Sequence, residues 1–154
     1  MNYTKALETD IPALIDMRIA YLTEDYQTLA AEQADAIRAQ LPGYFAGHLN
    51  RDLIAYAAKD ERKIAASAFL HITEIPANPA VLTGKFGVML NVYTRPEYRR
   101  MGIAKQLLTM AIEDGRRLSL SYISLDATQD GLPLYRKLKF TEIKPRYTGM
   151  ILKL

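Results

Sequence analysis

Apolar residues along this chain follow a helical rhythm up to about residue 50 and a denser, strand-like one just after it. In "TDIPALIDMRIAYL" the positions Ile11, Leu14, Ile15, Ile19 and Leu22 recur at helical spacing, with Thr9 or Asp10 as cap and Pro12 in the first turn. Tyr3 to Glu8, just before, reads as a short strand. The alanine-rich stretch from Gln27 to Leu49 predicts two helical pieces broken near Pro42-Gly43, since proline interrupts the helical hydrogen-bond ladder. After Arg51, "DLIAYAAKDERKIAASAFLHITEI" holds two strand-like runs around the polar turn Lys59-Asp60-Glu61-Arg62, which predicts a hairpin.

Lys85 to Thr94 reads as a further strand, Ile103 to Leu118 as an amphipathic helix, Tyr122 to Asp126 as a strand and Leu132 to Leu138 as a short helix. Phe140 to Glu142 and Tyr147 to Leu152 read as two closing strands, and "IPANPAVLTG" as a long loop. The order of elements predicts one domain over residues 1–154, in the α/β (α+β) class: a mixed, mostly antiparallel sheet with helices on both faces.

Composition narrows the function. Hydrophobic residues at 49% and charged residues at 24% suit a globular domain, and no stretch reaches the ~18 apolar residues of a membrane span. Glu8 and Asp10 stand where a signal peptide would be apolar, so no export signal is expected. With no cysteine there is no disulfide, thiolate nucleophile or thiolate metal site, as in a cytoplasmic protein. His48 and His71 are the only histidines and fit no metal-ligand spacing, so no metal is expected. The net charge of +3 is too small and too dispersed to suggest nucleic acid.

One stretch concentrates charge. In "NVYTRPEYRRMGIAKQLL", Asn91 to Leu108, a strand hands over to a helix through a turn carrying Arg95, Arg99 and Arg100, with Lys105 close behind. A helix N-terminus has unpaired backbone N–H groups and about half a positive charge, and so attracts anions. Gly102 adds backbone access and the arginines add phosphate donors. The residues alone leave two readings open: a phosphate cradle, or a solvated basic turn in which Gly102 serves only backbone geometry.

The run Arg99-Arg100-Met101-Gly102-Ile103-Ala104, preceded by Pro96-Glu97-Tyr98, resembles the acyl-CoA motif of the GCN5-related N-acetyltransferase (GNAT) family, with alanine where many members have a second glycine. "LDATQDGLPLYRKLKF", Leu125 to Phe140, is similar to that family's later motif, and the two stand in the family's order. The resemblance implies the acyl-CoA N-acyltransferase fold, with six to seven strands and a splayed parallel pair, Met89 to Thr94 beside Tyr122 to Asp126. It implies that acetyl-CoA binds there, its pantetheine along the backbone of Val92, Tyr93 and Thr94. Its pyrophosphate would rest at Arg99, Arg100, Met101, Gly102, Ile103, Ala104 and Lys105.

The resemblance further implies acetyl transfer to a primary amine in a ternary complex. Tyr135 would donate a proton to the departing thiolate. Relatives often carry a glutamate on the strand before the turn, where this chain has Asn91, so Asp126 becomes the leading candidate for general base, ahead of His71 and Glu74. The first helices and the loop around Thr23 to Thr28 would shape the acceptor site. A homodimer is expected, with "GMILKL" as a contributor. The alternative function is a non-catalytic acyl-CoA-binding sensor or interaction module.

Overall fold

A computed structural model describes every residue except Arg62, so that member of the expected hairpin turn lies outside the described residues. Five strands form one sheet in the order β1 (Asn2–Lys5), β2 (Leu53–Asp60), β3 (Lys63–Glu74), β4 (Lys85–Thr94) and β5 (Ile123–Ser124). The first three neighbouring pairs are antiparallel, and β4 and β5 are parallel. The helices are α1 (Ile11–Tyr26), α2 (Ala31–His48), α3 (Ile103–Arg117) and α4 (Leu132–Lys137). Among the described residues, no helix is long and apolar enough to cross a membrane.

Both faces of the sheet are covered. Successive residues of β2 alternate between two cores: Leu53, Ala55 and Ala57 pack under α1 and α2, while Ile54, Tyr56 and Ala58 pack under α3 and α4. The α3 side is tied across the sheet by Asp114, which accepts hydrogen bonds from the Tyr56 hydroxyl at 2.8 Å and from Lys5 Nζ at 3.0 Å. The helix α1 follows a turn in which the Leu7 amide donates to Asp10 Oδ2 at 2.8 Å, and it stops at Gln27, whose φ of 54° is left-handed.

The mixed sheet, its flanking helices and its parallel pair are as expected, with three differences. Gln27 to Leu49 contains one continuous helix from Ala31 rather than two pieces. Pro42 lies on its exposed face, while Leu41 and Phe45, one turn apart, are both buried and hold the helix against the core across the break in the ladder. The first strand stops at Lys5, and Glu8 belongs to a short 3-10 turn.

The third difference is larger. The two closing strands do not form: Phe140 to Glu142 and Tyr147 to Leu152 have no strand pairing among the described residues, and the sheet has five strands instead of six to seven. Met150 and Leu152 are 91% and 84% exposed. The apolar pattern of a strand is present there, but no neighbouring edge supplies the inter-strand hydrogen bonds that would make it one.

Candidate active site

The pairing of β4 with β5 covers only Gly87 with Ile123 and Val88 with Ser124, so the strand expected over Tyr122 to Asp126 is paired at two residues and β4 runs on alone to Thr94. A bulge in β4 accompanies the separation. Ser67 of β3 faces Tyr93 and Phe69 faces Leu90, so Asn91 and Val92 together oppose one residue, and Asn91 takes a φ of 51°. Asparagine tolerates this left-handed conformation better than most residues. Its side chain is fixed in place, with Nδ2 donating to Ser67 Oγ at 3.0 Å and Oδ1 lying 3.5 Å from an Arg18 nitrogen.

Past the bulge the backbone has a defined outlook. The Arg95 amide bonds back to Ala65 of β3, so by strand alternation Val92 and Thr94 present their main chain to the open side, with Tyr93 between them. The chain then turns through Pro96–Tyr98 into α3. Arg100 and Gly102 both adopt positive φ, 64° and 75°, and no side chain caps the helix. A Cβ built on Gly102 would meet nothing within 4 Å, so the glycine answers to its φ, and the space beside it is open. Among the described residues, no amide from Arg100 to Lys105 has a hydrogen-bond partner, and the first helical bond is Gln106 to the Gly102 carbonyl at 3.2 Å. Successive free N–H groups at a helix start form an anion-binding concavity.

The four expected cations divide into two kinds. Arg99 donates to both oxygens of Glu24 at 2.7 and 2.6 Å and to the Thr94 carbonyl at 3.0 Å, and its guanidinium stands over the Tyr93 ring. Arg95 donates to the Ile64 carbonyl at 2.9 Å. These two brace the turn against α1 and β3. Arg100 and Lys105 have no side-chain partner among the described residues and remain available to a ligand.

Tyr135 sits on α4 at 9% exposure, its ring edge-on to Phe140 with centroids 5.8 Å apart. Burial pushes its phenol above the ordinary value, and the nearby Tyr21 hydroxyl adds to the rise. No hydrogen bond holds the Tyr135 hydroxyl, and among the described residues no sealed side-chain polar atom is left unpaired, so the hydroxyl opens onto accessible space. Asp126 is exposed, just past the paired part of β5.

His71 lies with His48 and Asp52, their ligand atoms all within 4.8 Å of one another. His48 Nδ1 and Asp52 Oδ1 are 2.8 Å apart, within direct hydrogen-bond distance. The three come from α2, the β2 approach and β3, which is why sequence spacing gave no hint of them.

Residues 11–140 match the acetyltransferase (GNAT) family. The chain belongs to that family. Among solved structures, a predicted acetyltransferase with acetyl-CoA from Clostridium acetobutylicum is 27% identical, covering 97% of this chain and 95% of its own at a TM-score of 0.84. A GCN5-related N-acetyltransferase from Ralstonia eutropha JMP134 is 24% identical, with 97% of each chain covered and a TM-score of 0.78. A glucosamine-6-phosphate N-acetyltransferase from Arabidopsis thaliana, 16% identical over 97% of each chain, shares the fold at a TM-score of 0.66. No curated protein matches the chain.

GNAT acetyltransferases use acetyl-CoA, which the similar Clostridium acetobutylicum structure contains. Three residues of α1 that sequence reasoning passed over touch the β4 bulge and the turn beyond it: Arg18 beside Asn91, Tyr21 beside Tyr93 and Glu24 beside Arg99. Tyr21 packs edge-on to Tyr93 with centroids 6.3 Å apart, and the Arg18 guanidinium lies 5.6 Å from the Tyr21 ring centre. The one available signal was Arg18 itself, a charge set inside the apolar run "IDMRIAYL".

Proposed function

We propose that this protein transfers the acetyl group of acetyl-CoA to a primary amine of a small molecule, peptide or protein by direct attack in a ternary complex. The observation that carries the proposal is the row of unpartnered amides from Arg100 to Lys105 beside a parallel strand pair that parts after two residues. The pyrophosphate rests on those amides, from Arg100 through Met101, Gly102, Ile103 and Ala104, with Arg100 and Lys105 adding charge. Arg99 holds the turn through Glu24. The pantetheine amides pair with the open backbone of Val92 and Thr94 around Tyr93, as an added strand would.

The acceptor amine, once neutral, attacks the thioester carbonyl carbon, and a β4 N–H stabilises the oxyanion. The C–S bond breaks, the sulfur leaves with the electron pair and takes the Tyr135 proton, and the proton shed by the acylated nitrogen returns to the Tyr135 oxygen. The ammonium proton passes to Asp126, directly or through water, and the products are the acetamide and CoA. With no cysteine in the chain, no thiol carries the acetyl group between the two substrates. The protein acts in the cytoplasm, as a homodimer.

Isothermal titration with acetyl-CoA, followed by thiol release over a panel of amines, tests this reading. Saturable binding with turnover on at least one amine is expected. Absence of saturable binding would overturn it. The alternative, a non-catalytic acyl-CoA sensor or interaction module, is favoured by Asn91 standing where relatives carry a glutamate. Tight binding with no turnover on any amine would select it.

A further inference from the structure

Between α1, α2 and the β3–β4 surface lies a groove of about 630 Å3, lined mainly by apolar and aromatic side chains that include Leu41, Phe45, Phe69 and Leu90. Among the described residues no aspartate or glutamate lines it, and its only charged lining residue is Arg18. A half-buried guanidinium normally finds a carboxylate, because the desolvation it suffers is otherwise uncompensated. Other cations packed against or near α1 are paired: Arg99 has Glu24 at 2.6 Å, Lys59 has Asp10 at 2.7 Å and Arg38 has Asp16 at 2.9 Å. Arg18 has none among the described residues. Its contacts are the Asn91 amide oxygen at a long 3.5 Å and the face of Tyr21.

We infer that Arg18 is the anion receptor of the acceptor site, and that the acceptor is a small amine carrying a carboxylate and an apolar body, as an apolar α-amino acid does. The inference rests on the acetyl-transfer reading above. Its geometry follows from three links. Arg18 presents a planar fork suited to a carboxylate, and Asn91, bonded to Ser67, steadies that fork at the bulge where β4 parts from β5. The apolar body fits against the exposed Tyr26 and Leu90.

The third link runs towards the chemistry. The Arg18 guanidinium stands over the Tyr21 ring, and Tyr21 packs edge-on to Tyr93 of β4, so the Arg18 end of the groove adjoins the strand proposed to hold the pantetheine. Sign of charge then selects among amines. A polyamine, or a lysine in a basic protein segment, would bring a second cation to a groove with one positive charge and no acid to receive it.

The test compares L-leucine, L-methionine and L-phenylalanine with their carboxamides and with spermidine as acceptors, reading kcat/KM from thiol release. Wild type, Arg18→Gln and Arg18→Lys are assayed, with acetyl-CoA affinity by calorimetry as control. A free carboxylate is expected to raise kcat/KM about 10- to 100-fold over the amide, the range of a charge-assisted hydrogen bond. In Arg18→Gln that ratio falls towards one, and Arg18→Lys restores part of it, while acetyl-CoA affinity stays within about twofold in both. Equal use of amides or spermidine by wild type, a ratio unchanged by Arg18→Gln, or no turnover of any amino acid by a protein that binds acetyl-CoA, overturns the inference. Failure to bind acetyl-CoA would instead overturn the acetyl-transfer reading.

Discussion

Replacing Tyr135 with phenylalanine separates chemistry from structure, because its ring and its hydroxyl have different surroundings. The ring is buried against Phe140, and phenylalanine keeps that contact. The hydroxyl has no hydrogen-bond partner to lose, so stability should change by less than about 0.5 kcal/mol. The amides proposed to hold acetyl-CoA lie in the turn before α3 and in its first residues, a different part of the chain, and affinity should stay within about twofold. Turnover should fall by ~10²–10⁴, the contribution of a positioned acid, which corresponds to about 2.7–5.4 kcal/mol of barrier.

The pH dependence gives a second check. Burial raises the phenol above its ordinary 10.0, so the neutral, proton-donating form persists beyond pH 10 and activity should fall only above that. Tyr135→Phe should lack that alkaline limb. The assay is thiol release at saturating acetyl-CoA from pH 7 to 11, with calorimetry for affinity and a thermal melt for stability. A turnover within about twofold of wild type would refute proton donation by Tyr135. A loss matched by an equal loss of acetyl-CoA affinity would place its role in packing.

Further outcomes follow from the same geometry. An alanine at Gly131 would put its Cβ 2.8 Å from Tyr135 Cε2, so Gly131→Ala should shift the ring, cost ~1–3 kcal/mol in a thermal melt and lower turnover about tenfold; wild-type turnover would show that the ring's placement is unimportant. Arg100→Ala should weaken acetyl-CoA binding about five- to tenfold in calorimetry, less so at high salt, and an unchanged affinity would exclude its phosphate contact. Asp114→Ala leaves the buried Tyr56 hydroxyl without its acceptor and should cost ~2–4 kcal/mol in urea unfolding. Burial alone would raise the Asp114 carboxyl, but the bonds from Lys5, Arg117 and Tyr56 hold it below its ordinary 3.8. Its stabilisation is therefore present above about pH 4 and lost as pH falls through the lower folded value, and an acid melt that Asp114→Ala leaves unaltered would contradict this. The exposed Met150, Ile151 and Leu152 are expected to pair with a second copy, so light scattering should show a dimer and removal of residues 141–154 a monomer; a monomeric full chain would refute that pairing.

What the sequence revealed depended on whether an element's cause was local. Strand Lys85–Thr94 and helix Ile103–Arg117 form as read, because the period of their apolar residues and the turn at Gly102 are written in consecutive positions. Strand β2 was legible only as a dense apolar run, since burial on both faces erases the usual alternation. The closing strands failed because a strand is a property of a pair, and Tyr147 to Leu152 finds no edge. The open start of α3 was readable from Gly102 and the basic turn. Which cations stay free was not, because Arg95 and Arg99 find partners 31 and 75 residues away in sequence.

Asn91 shows how a departure from a family pattern can be a structural requirement. A glutamate there would have to hold a φ of 51°, which a longer side chain without local hydrogen bonding tolerates less well. In its place the amide holds the bulge through Ser67 and turns its oxygen towards Arg18. The residue thus tethers β4 to β3 and to Arg18, beside the groove proposed to take the acceptor. On this account Asn91→Glu should not improve catalysis: it would lose the Ser67 bond, place a carboxylate against Arg18 and close the receptor on itself. Turnover of amino-acid acceptors should fall, with acetyl-CoA affinity little changed. A gain in turnover would mean that the missing acid, not the tether, is what limits this site.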